Sequence, residues 1–348
     1  MGWRYIMTAP YAILHFLVDG LCAFAMFGTF SAGENWYLNV LLYNFCAFAL
    51  QMPLGVVLDG LNRRKCLRKC EPAFGFALVG VLLTFLGTVT HPVILGIGNA
   101  LFHLGGGVGT IHEDEEKGWR GRGLGVFVAP GALGLYLGTL VAKGEVIPMP
   151  ALLILIGLVA VGCLGWCYRR MNTQKKIPAI AAENSPEKEG FFLLIGCLAV
   201  VILRSYIGMA VGFSWKSTIL AGTVAVLAVV LGKVAGGFAA AGIGMRRTVV
   251  LSLLLSALCF LFSENMVAGV PALFLFNMTM PITLYMLVRR LKGLTGFAFG
   301  LLTFGLFLGF LLTYLGLELP VDDRVLGAVG SLLSLVILWL CVRQYDKE

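Results

Sequence analysis

Charged residues are scarce in this chain. Only 13% of its 348 residues are Asp, Glu, Lys or Arg, whereas 59% are hydrophobic and the mean hydropathy is +0.91. A soluble globular protein carries about 25% charged residues. The scarcity therefore argues against a soluble enzyme with a water-exposed surface, and it predicts a chain that lies mostly within a membrane.

Short catalytic motifs are also missing. The sequence has no G-x-S-x-G, no H-E-x-x-H and no G-x-x-x-x-G-K-S/T, the patterns typical of serine hydrolases, zinc peptidases and nucleotide-driven proteins. We therefore expect neither enzyme activity nor a cofactor, and an ATP-driven pump is disfavoured. The nine cysteines are scattered, mostly within apolar segments where they act as small buried residues, and no metal site is predicted.

The chain contains instead about twelve apolar segments, each near the ~20 residues that a helix needs to cross a bilayer. This pattern predicts an all-α polytopic membrane protein with two six-helix pseudo-repeat bundles. We expect an N-terminal bundle over residues 1–170, a cytoplasmic linker over 171–190 and a C-terminal bundle over 191–348. The predicted spans are 8–30, 36–58, 73–89, 92–112, 123–142, 148–168, 191–213, 217–241, 248–263, 267–288, 294–315 and 325–343.

The distribution of basic residues predicts the orientation. Of the 26 lysines and arginines, 21 fall on one side of this span pattern, whereas Lys143, Lys216 and Arg324 fall on the other and two lie within spans. Because short cytoplasmic loops are enriched in Lys and Arg, we expect a multi-pass protein of the cell membrane with both termini in the cytoplasm. The same loop pattern explains the net charge of +8 without nucleic-acid binding.

The loop after the second span carries a recognisable motif. Gly55, Asp59, Arg63 and Arg64 fit the pattern G-x-x-x-D-x-x-x-R-R/K, and Lys65 follows them. With the span count, this motif resembles the major facilitator superfamily of transporters. Three shorter segments look like the fosmidomycin-resistance type of exporter within it. They are His15-Phe-Leu-Val-Asp19, Gly98-Asn-Ala-Leu-Phe-His103 and Leu203-Arg204-Ser205.

The resemblance implies roles for this loop and for a central cavity. In the family, the Asp and the basic residues form a conformational latch that holds one state and breaks in the other, which would assign Gly55, Asp59, Arg63 and Arg64 to a latch. The family's cavity is lined by spans one, four, seven and ten. The resemblance also implies a protein that functions as a monomer.

Ionisable side chains inside apolar spans are the main functional signal. His15, Asp19, His103, Arg204 and Lys233 all lie there, and a charge at such depth costs roughly 3 kcal/mol or more, so it usually faces a cavity. His15 and Asp19 are one helical turn apart and share a face. We predict that Asp19, His15 and His103 form a proton-coupling group, with substrate contact or a static structural pair as the alternatives for Asp19.

A second set of polar residues indicates substrate binding. Spans seven and ten carry Arg204, Asn277, Thr279 and Tyr285, and together with His103 they are our predicted substrate-binding residues. For Arg204, binding an anionic substrate and pairing with Asp19 are both open. Pro130, followed by Gly131, predicts a bend in the fifth span because proline removes a backbone hydrogen bond.

The sequence therefore predicts secondary active transport of a small organic solute by alternating access, with proton-coupled efflux by an antiporter as the leading form. Proton-coupled uptake of a small metabolite is the alternative. A membrane-embedded enzyme using His103 and Asp19, and a sensor that has lost transport, are further alternatives. The expected partners are a small-molecule substrate, protons and membrane lipid. The acidic run His112-Glu113-Asp114-Glu115-Glu116 is expected to be a solvated charge cluster.

Overall fold

The computed structural model describes residues 7–64, 71–144, 149–173 and 188–346. These residues form fifteen α-helices, and no β-strand is found among them. The all-α prediction is confirmed. The helices are α1 Thr8–Phe24, α2 Trp36–Asn44, α3 Gln51–Arg63, α4 Pro72–Val89, α5 Pro92–Glu116, α6 Arg122–Val128, α7 Pro130–Gly144, α8 Met149–Thr173, α9 Lys188–Ala210, α10 Ile219–Ile243, α11 Met245–Leu261, α12 Met266–Asn277, α13 Met280–Arg290, α14 Thr295–Tyr314 and α15 Asp323–Tyr345.

Eleven stretches of the described chain are long and apolar enough to cross a membrane, and they match eleven of the predicted spans. The remaining predicted span, 248–263, corresponds to α11, which has 17 residues. Helices suit this composition because a lipid core offers no water to the backbone, so each N–H and C=O must be bonded within its own segment.

Several of the spans are interrupted helices. The fifth breaks at Ala129, between α6 and α7, which confirms the bend predicted from Pro130. The tenth breaks between Asn277 and Met280. The first continues past α1 as a π-helical turn, Ala25–Thr29, and a second such turn, Phe45–Ala49, lies between α2 and α3. Interrupted helices free backbone groups, and transporters commonly use them at binding sites.

The acidic run at the end of α5 is not the solvated cluster that the sequence suggested. Glu113 and Asp114 are each only 3% exposed. The Glu113 carboxylate accepts hydrogen bonds from the backbone N–H groups of Met7 and Thr8 and from the Thr8 hydroxyl, at 2.7–3.1 Å. It is buried because the start of α1 has unsatisfied N–H groups that need an acceptor.

Contacts divide the described chain into two compact units. The first contains Met1–Gly118, Val126–Ala182 and Gly293–Gly300, and the second contains Trp119–Gly125, Glu183–Lys292 and Leu301–Glu348. The predicted linker 171–190 lies outside the described residues except at its two ends, so the predicted domain boundaries stay predictions.

Candidate functional site

Helices α1 and α7 of the first unit approach each other closely. A Cβ atom on Gly134 would overlap the carbonyl oxygen of Phe16, so only glycine allows this approach. One turn earlier in α7, Gly131 faces α1 in the same way, and a Cβ there would overlap His15 Nε2 and the Asp19 carboxylate. The glycines following Pro130 therefore hold α1 at the distance that brings its two polar side chains against α7.

His15, Asp19 and His103 lie together in one cluster, and their role in proton coupling stays a prediction. His15 Nε2 lies 3.2 Å from Asp19 Oδ2, and His103 Nε2 lies 3.5 Å from Asp19 Oδ1. The two Nε2 atoms are 2.9 Å apart. Both imidazoles are almost completely buried, while the Asp19 side chain is 19% exposed. The cluster therefore has a carboxylate that remains accessible.

The other ring nitrogen of each histidine fixes its protonation pattern. His15 Nδ1 lies 2.7 Å from the Phe127 carbonyl oxygen, and His103 Nδ1 lies 2.8 Å from the Asn99 carbonyl oxygen. A carbonyl oxygen can only accept, so each Nδ1 must carry a hydrogen and donate it. Phe127 is near the end of α6, where the break at Ala129 interrupts the regular helical ladder. The proline bend thus supplies the acceptor that orients His15.

The cluster requires a cation. With both Nδ1 atoms protonated, a neutral His15 and a neutral His103 would direct two Nε2 lone pairs at each other and at the carboxylate. Three acceptors this close repel one another unless at least one shared proton or another cation lies among them. The ligand atoms lie within 4.8 Å of one another, so the same three residues could also hold a metal ion.

The distances among the three ligand atoms are compatible with either a shared proton or a bound metal ion. The separations of 2.9, 3.2 and 3.5 Å surround the ~3.3 Å ligand–ligand edge of a tetrahedral zinc site with bonds of about 2.0 Å. They also suit one proton shared along any of the three edges. In a metal site the second ring nitrogen is usually bonded to a carbonyl or carboxylate, and both histidines meet that condition.

Arg204 lies in the second unit, in α9. It is 7% exposed and lines a cavity together with Asn277, another predicted substrate-binding residue. Thr279 and Tyr285 are not among the residues that line this cavity. Thr279 is buried and its hydroxyl donates to the Phe276 carbonyl oxygen at 3.2 Å. The substrate-binding roles of all these residues, and the pairing of Arg204 with Asp19, stay predictions.

The motif after the second span forms specific contacts within the first unit. Asp59 is 4% exposed, and its two carboxylate oxygens accept from the backbone N–H groups of Gly296 and Phe297, both at 2.8 Å. These N–H groups belong to the first turn of α14, where a carboxylate is favoured by the helix dipole. Arg63 Nη2 donates to the Gly293 carbonyl oxygen at 3.2 Å.

The other residues of this loop motif, Gly55, Arg64 and Lys65, do not share one environment. A Cβ on Gly55 would overlap the backbone of Gly296, so this glycine is needed for the approach of α3 to α14. Arg64 is exposed, and Lys65 lies outside the described residues. The geometry therefore assigns direct contacts to Gly55, Asp59 and Arg63, while a role as a latch stays a prediction for all of them.

No family model matches the sequence, and no match is found among curated proteins. Among solved structures, the chain is similar to the transporter FucP in its outward conformation, with a TM-score of 0.65, 10% identity and coverage of 98% of each chain. The chain has the major facilitator fold.

Two further structures with the major facilitator fold are similar. The Escherichia coli fucose:proton symporter, a second structure of FucP, gives a TM-score of 0.59 at 12% identity, covering 98% of this chain and 99% of that one. The human organic anion transporter MFSD10 gives 0.59 at 13% identity, with 96% and 99% covered. Identities this low show the fold alone, and the narrower resemblance to the fosmidomycin-resistance type is not confirmed.

Within this fold, three contributors to the cluster were not predicted as site residues. Asn99 Nδ2 donates to Asp19 Oδ1 at 3.0 Å. The Phe127 carbonyl orients His15, and Gly131 gives the cluster its space. Asn99 had a sequence signal, since it lies one helical turn before His103 on the same face of α5. The Phe127 carbonyl could not be predicted from the sequence, because it is free to accept only where the helix breaks.

Proposed function

We propose that this chain is a secondary active transporter that moves a small organic solute across the cell membrane by alternating access, coupled to protons at Asp19, His15 and His103. The observation that carries the proposal is the convergence of two Nε2 atoms and a carboxylate within 2.9–3.5 Å. Such a group is stable only with a cation among its members, so binding and release of that cation can be linked to a change of conformation.

The fold supports the transport part of this proposal. The solved structures that share it carry transporter names, and one is described as a fucose:proton symporter. Proton coupling is therefore compatible with this architecture. Efflux by antiport is the direction we propose, and uptake by symport is the second candidate. The cytoplasmic location of both termini, a monomeric state and the absence of enzyme activity belong to the same proposal.

Reconstitution tests the proposal directly. The purified chain in proteoliposomes is given an imposed pH gradient and a panel of small organic solutes, and solute movement is followed together with internal pH. We expect solute flux against its own gradient, accompanied by proton movement in a fixed ratio. The direction of the proton movement relative to the solute distinguishes antiport from symport.

Asp19→Asn is the decisive variant. It keeps the side-chain shape but cannot be ionised, so gradient-driven flux should be lost while exchange of solute at equilibrium continues. Glu34→Gln is the matched control, because Glu34 is an exposed carboxylate outside the cluster, and it should transport like the parent. If Asp19→Asn concentrates solute as well as the parent does, protons are not coupled at Asp19.

The identity of the cation can be separated from the transport activity. The gradient assay is repeated with a sodium gradient at constant pH and with added zinc. Flux driven by the pH gradient alone supports protons as the coupling ion. If solute flux needs a sodium gradient, or if zinc itself is transported, then that ion and not the proton is the coupling or transported species. The proposal of alternating access would not be affected.

A further inference from the structure

A cavity within the second unit is lined by residues of α9, α10, α11, α12 and the segment between α9 and α10. Its volume is about 180 Å³. Most of its surface is apolar, and three aromatic rings contribute to it, those of Phe213, Phe260 and Phe276. These rings pack on one another, with Phe260 5.8 Å from Phe276 and 6.3 Å from Phe213 between ring centroids. The wall is therefore built from packed side chains.

Arg204 brings a charge to this apolar wall. Its Nη1 atom is buried and has no hydrogen-bond partner among the described residues. The ion pairs found in the described part of the chain also do not include Arg204. A buried guanidinium without a counter-charge destabilises a fold, and arginine stays protonated in proteins. Its presence here is explained if an external anion supplies the missing partner.

The other polar residues of the cavity point to the same ligand charge. Lys216 is a second cation in the lining, and no Asp or Glu is among the lining residues. The net charge of the lining is therefore positive. Asn277 adds a neutral polar side chain, whose Nδ2 donates to the Leu273 carbonyl oxygen at 2.9 Å and has a second hydrogen to offer. A cavity with cationic and aromatic lining residues suits a ligand that has an acidic group attached to an apolar part.

We propose that this cavity binds a small organic anion, with its carboxylate or comparable acidic group on the Arg204 guanidinium and its apolar body against the three phenylalanines. The inference rests on the proposed transport function for its biological meaning and names the substrate class of that transporter. The size is suitable, since a cavity of about 150 Å³ accepts benzene. Benzoate, a benzene ring with one carboxylate, is therefore a suitable probe.

Equilibrium binding to the full-length chain in detergent tests the proposal without any gradient. Benzoate and benzyl alcohol are titrated by calorimetry, because they share the ring and differ in charge. We expect benzoate to bind at least about tenfold more tightly than benzyl alcohol, since hydrogen bonds to a charged group contribute enough for that ratio. Equal affinities, or no benzoate binding, would overturn the proposal.

Variants then test the assignment to Arg204. Arg204→Met should weaken benzoate binding about tenfold or more and leave benzyl alcohol unchanged. It should also keep or raise the unfolding temperature, because it removes a buried charge without a partner. A structural role for Arg204 predicts the opposite stability change. Arg324→Met is the matched control, since Arg324 is paired with Glu264 and Asp322 outside the cavity, and its benzoate affinity should equal the parent's.

A second pair of variants keeps the test decisive if the methionine variant does not fold. Arg204→Lys retains the charge and should keep the preference for benzoate over benzyl alcohol, whereas Arg204→Gln should lose it. Unchanged preference in Arg204→Gln would overturn the proposal. Lys216→Met should weaken benzoate binding less than Arg204→Gln, because Lys216 is exposed to solvent; a larger loss there would move the anion site away from Arg204.

Failure of this inference can be told from failure of the transport proposal. Radiolabelled benzoate flux is measured separately in proteoliposomes. Benzoate that binds through Arg204 but never crosses the membrane contradicts transport of this class and leaves the binding site standing. A chain that transports another solute and does not bind benzoate contradicts the inference alone.

Discussion

The properties of the candidate site are decided at the scale of single hydrogen bonds. A histidine can present either ring nitrogen, and here two backbone carbonyls select the Nδ1–H form of both His15 and His103. The sequence could predict that His15 and Asp19 share a helix face, because that follows from helical spacing. It could not predict the facing pair of Nε2 atoms, which depends on how α1 and α5 pack.

Asn99 should act as a positioning residue for Asp19. Its Nδ2 donates to Asp19 Oδ1 at 3.0 Å, and its carbonyl orients His103. Asn99→Ala keeps the carbonyl but removes the charge-assisted bond to Asp19 and a weaker one to Cys22 Sγ at 3.6 Å. We therefore expect a gradient-driven transport rate lowered about tenfold, as loss of one charge-assisted bond implies. Asn44→Ala is the control, since the Asn44 side chain donates to the Val40 carbonyl of its own helix and, in the described part of the chain, to no residue of the cluster. Initial rates in proteoliposomes at several pH values check this.

Glu113 should contribute to stability and not to transport. Its carboxylate accepts from two backbone N–H groups and one hydroxyl at the start of α1. Glu113→Gln places an N–H₂ group among these donors, so we expect a loss of about 1–3 kcal/mol in the free energy of unfolding. Glu34→Gln, a change at an exposed carboxylate outside this run, should cost less than about 0.5 kcal/mol. Thermal unfolding in detergent measures both, and equal losses would contradict this account.

At the scale of helices, the sequence predicts which helices exist and where one of them bends better than it predicts which residues of different helices are in contact. Apolar runs located the spans because their length is fixed by the bilayer, and Pro130 located the break in the fifth span for a covalent reason. The burial of Glu113 was missed because it depends on donors at the start of α1, more than a hundred residues away in sequence. A charged residue is expected to be exposed to solvent unless it has a partner. For Glu113 that partner comes from the tertiary structure, which the sequence does not show.

The packing of α1 on α7 gives a prediction for a single methyl group. Gly134→Ala would push its Cβ into the Phe16 carbonyl, which is backbone and cannot rotate away. We expect a loss of about 1–3 kcal/mol in the free energy of unfolding and reduced transport, since His15 and Asp19 move with α1. Gly162→Ala in α8 is the control because a Cβ there meets no atom within 4 Å. A Gly134→Ala variant as stable and active as Gly162→Ala would show that α1 and α7 can separate at no cost.

At the scale of the whole molecule, the fold was predictable and the substrate was not. A count of about twelve spans and one loop motif suffice for the architecture, because the bilayer permits few alternatives. The same fold occurs in proteins of 10–13% identity with different names. In our proposal, substrate choice depends on Arg204 and on the cavity that it lines, and neither follows from periodicity or span count.

Asp59 is where a local contact should influence the conformational cycle. Its carboxylate accepts two N–H groups at the start of α14, and Asp59→Asn keeps one acceptor oxygen but loses the charge and one bond. If the contact is stronger in one conformation than in another, its loss shifts their balance, and we expect turnover to slow by about tenfold. Folding and solute binding should persist, as measured by unfolding temperature and by calorimetry.

Gly60→Ala is the control. Gly60 is next to Asp59 in the sequence, but no atom lies within 4 Å of the added Cβ, so this variant should transport at the parental rate. An unchanged rate in Asp59→Asn would mean that the contact is equally strong throughout the cycle, which is incompatible with a latch.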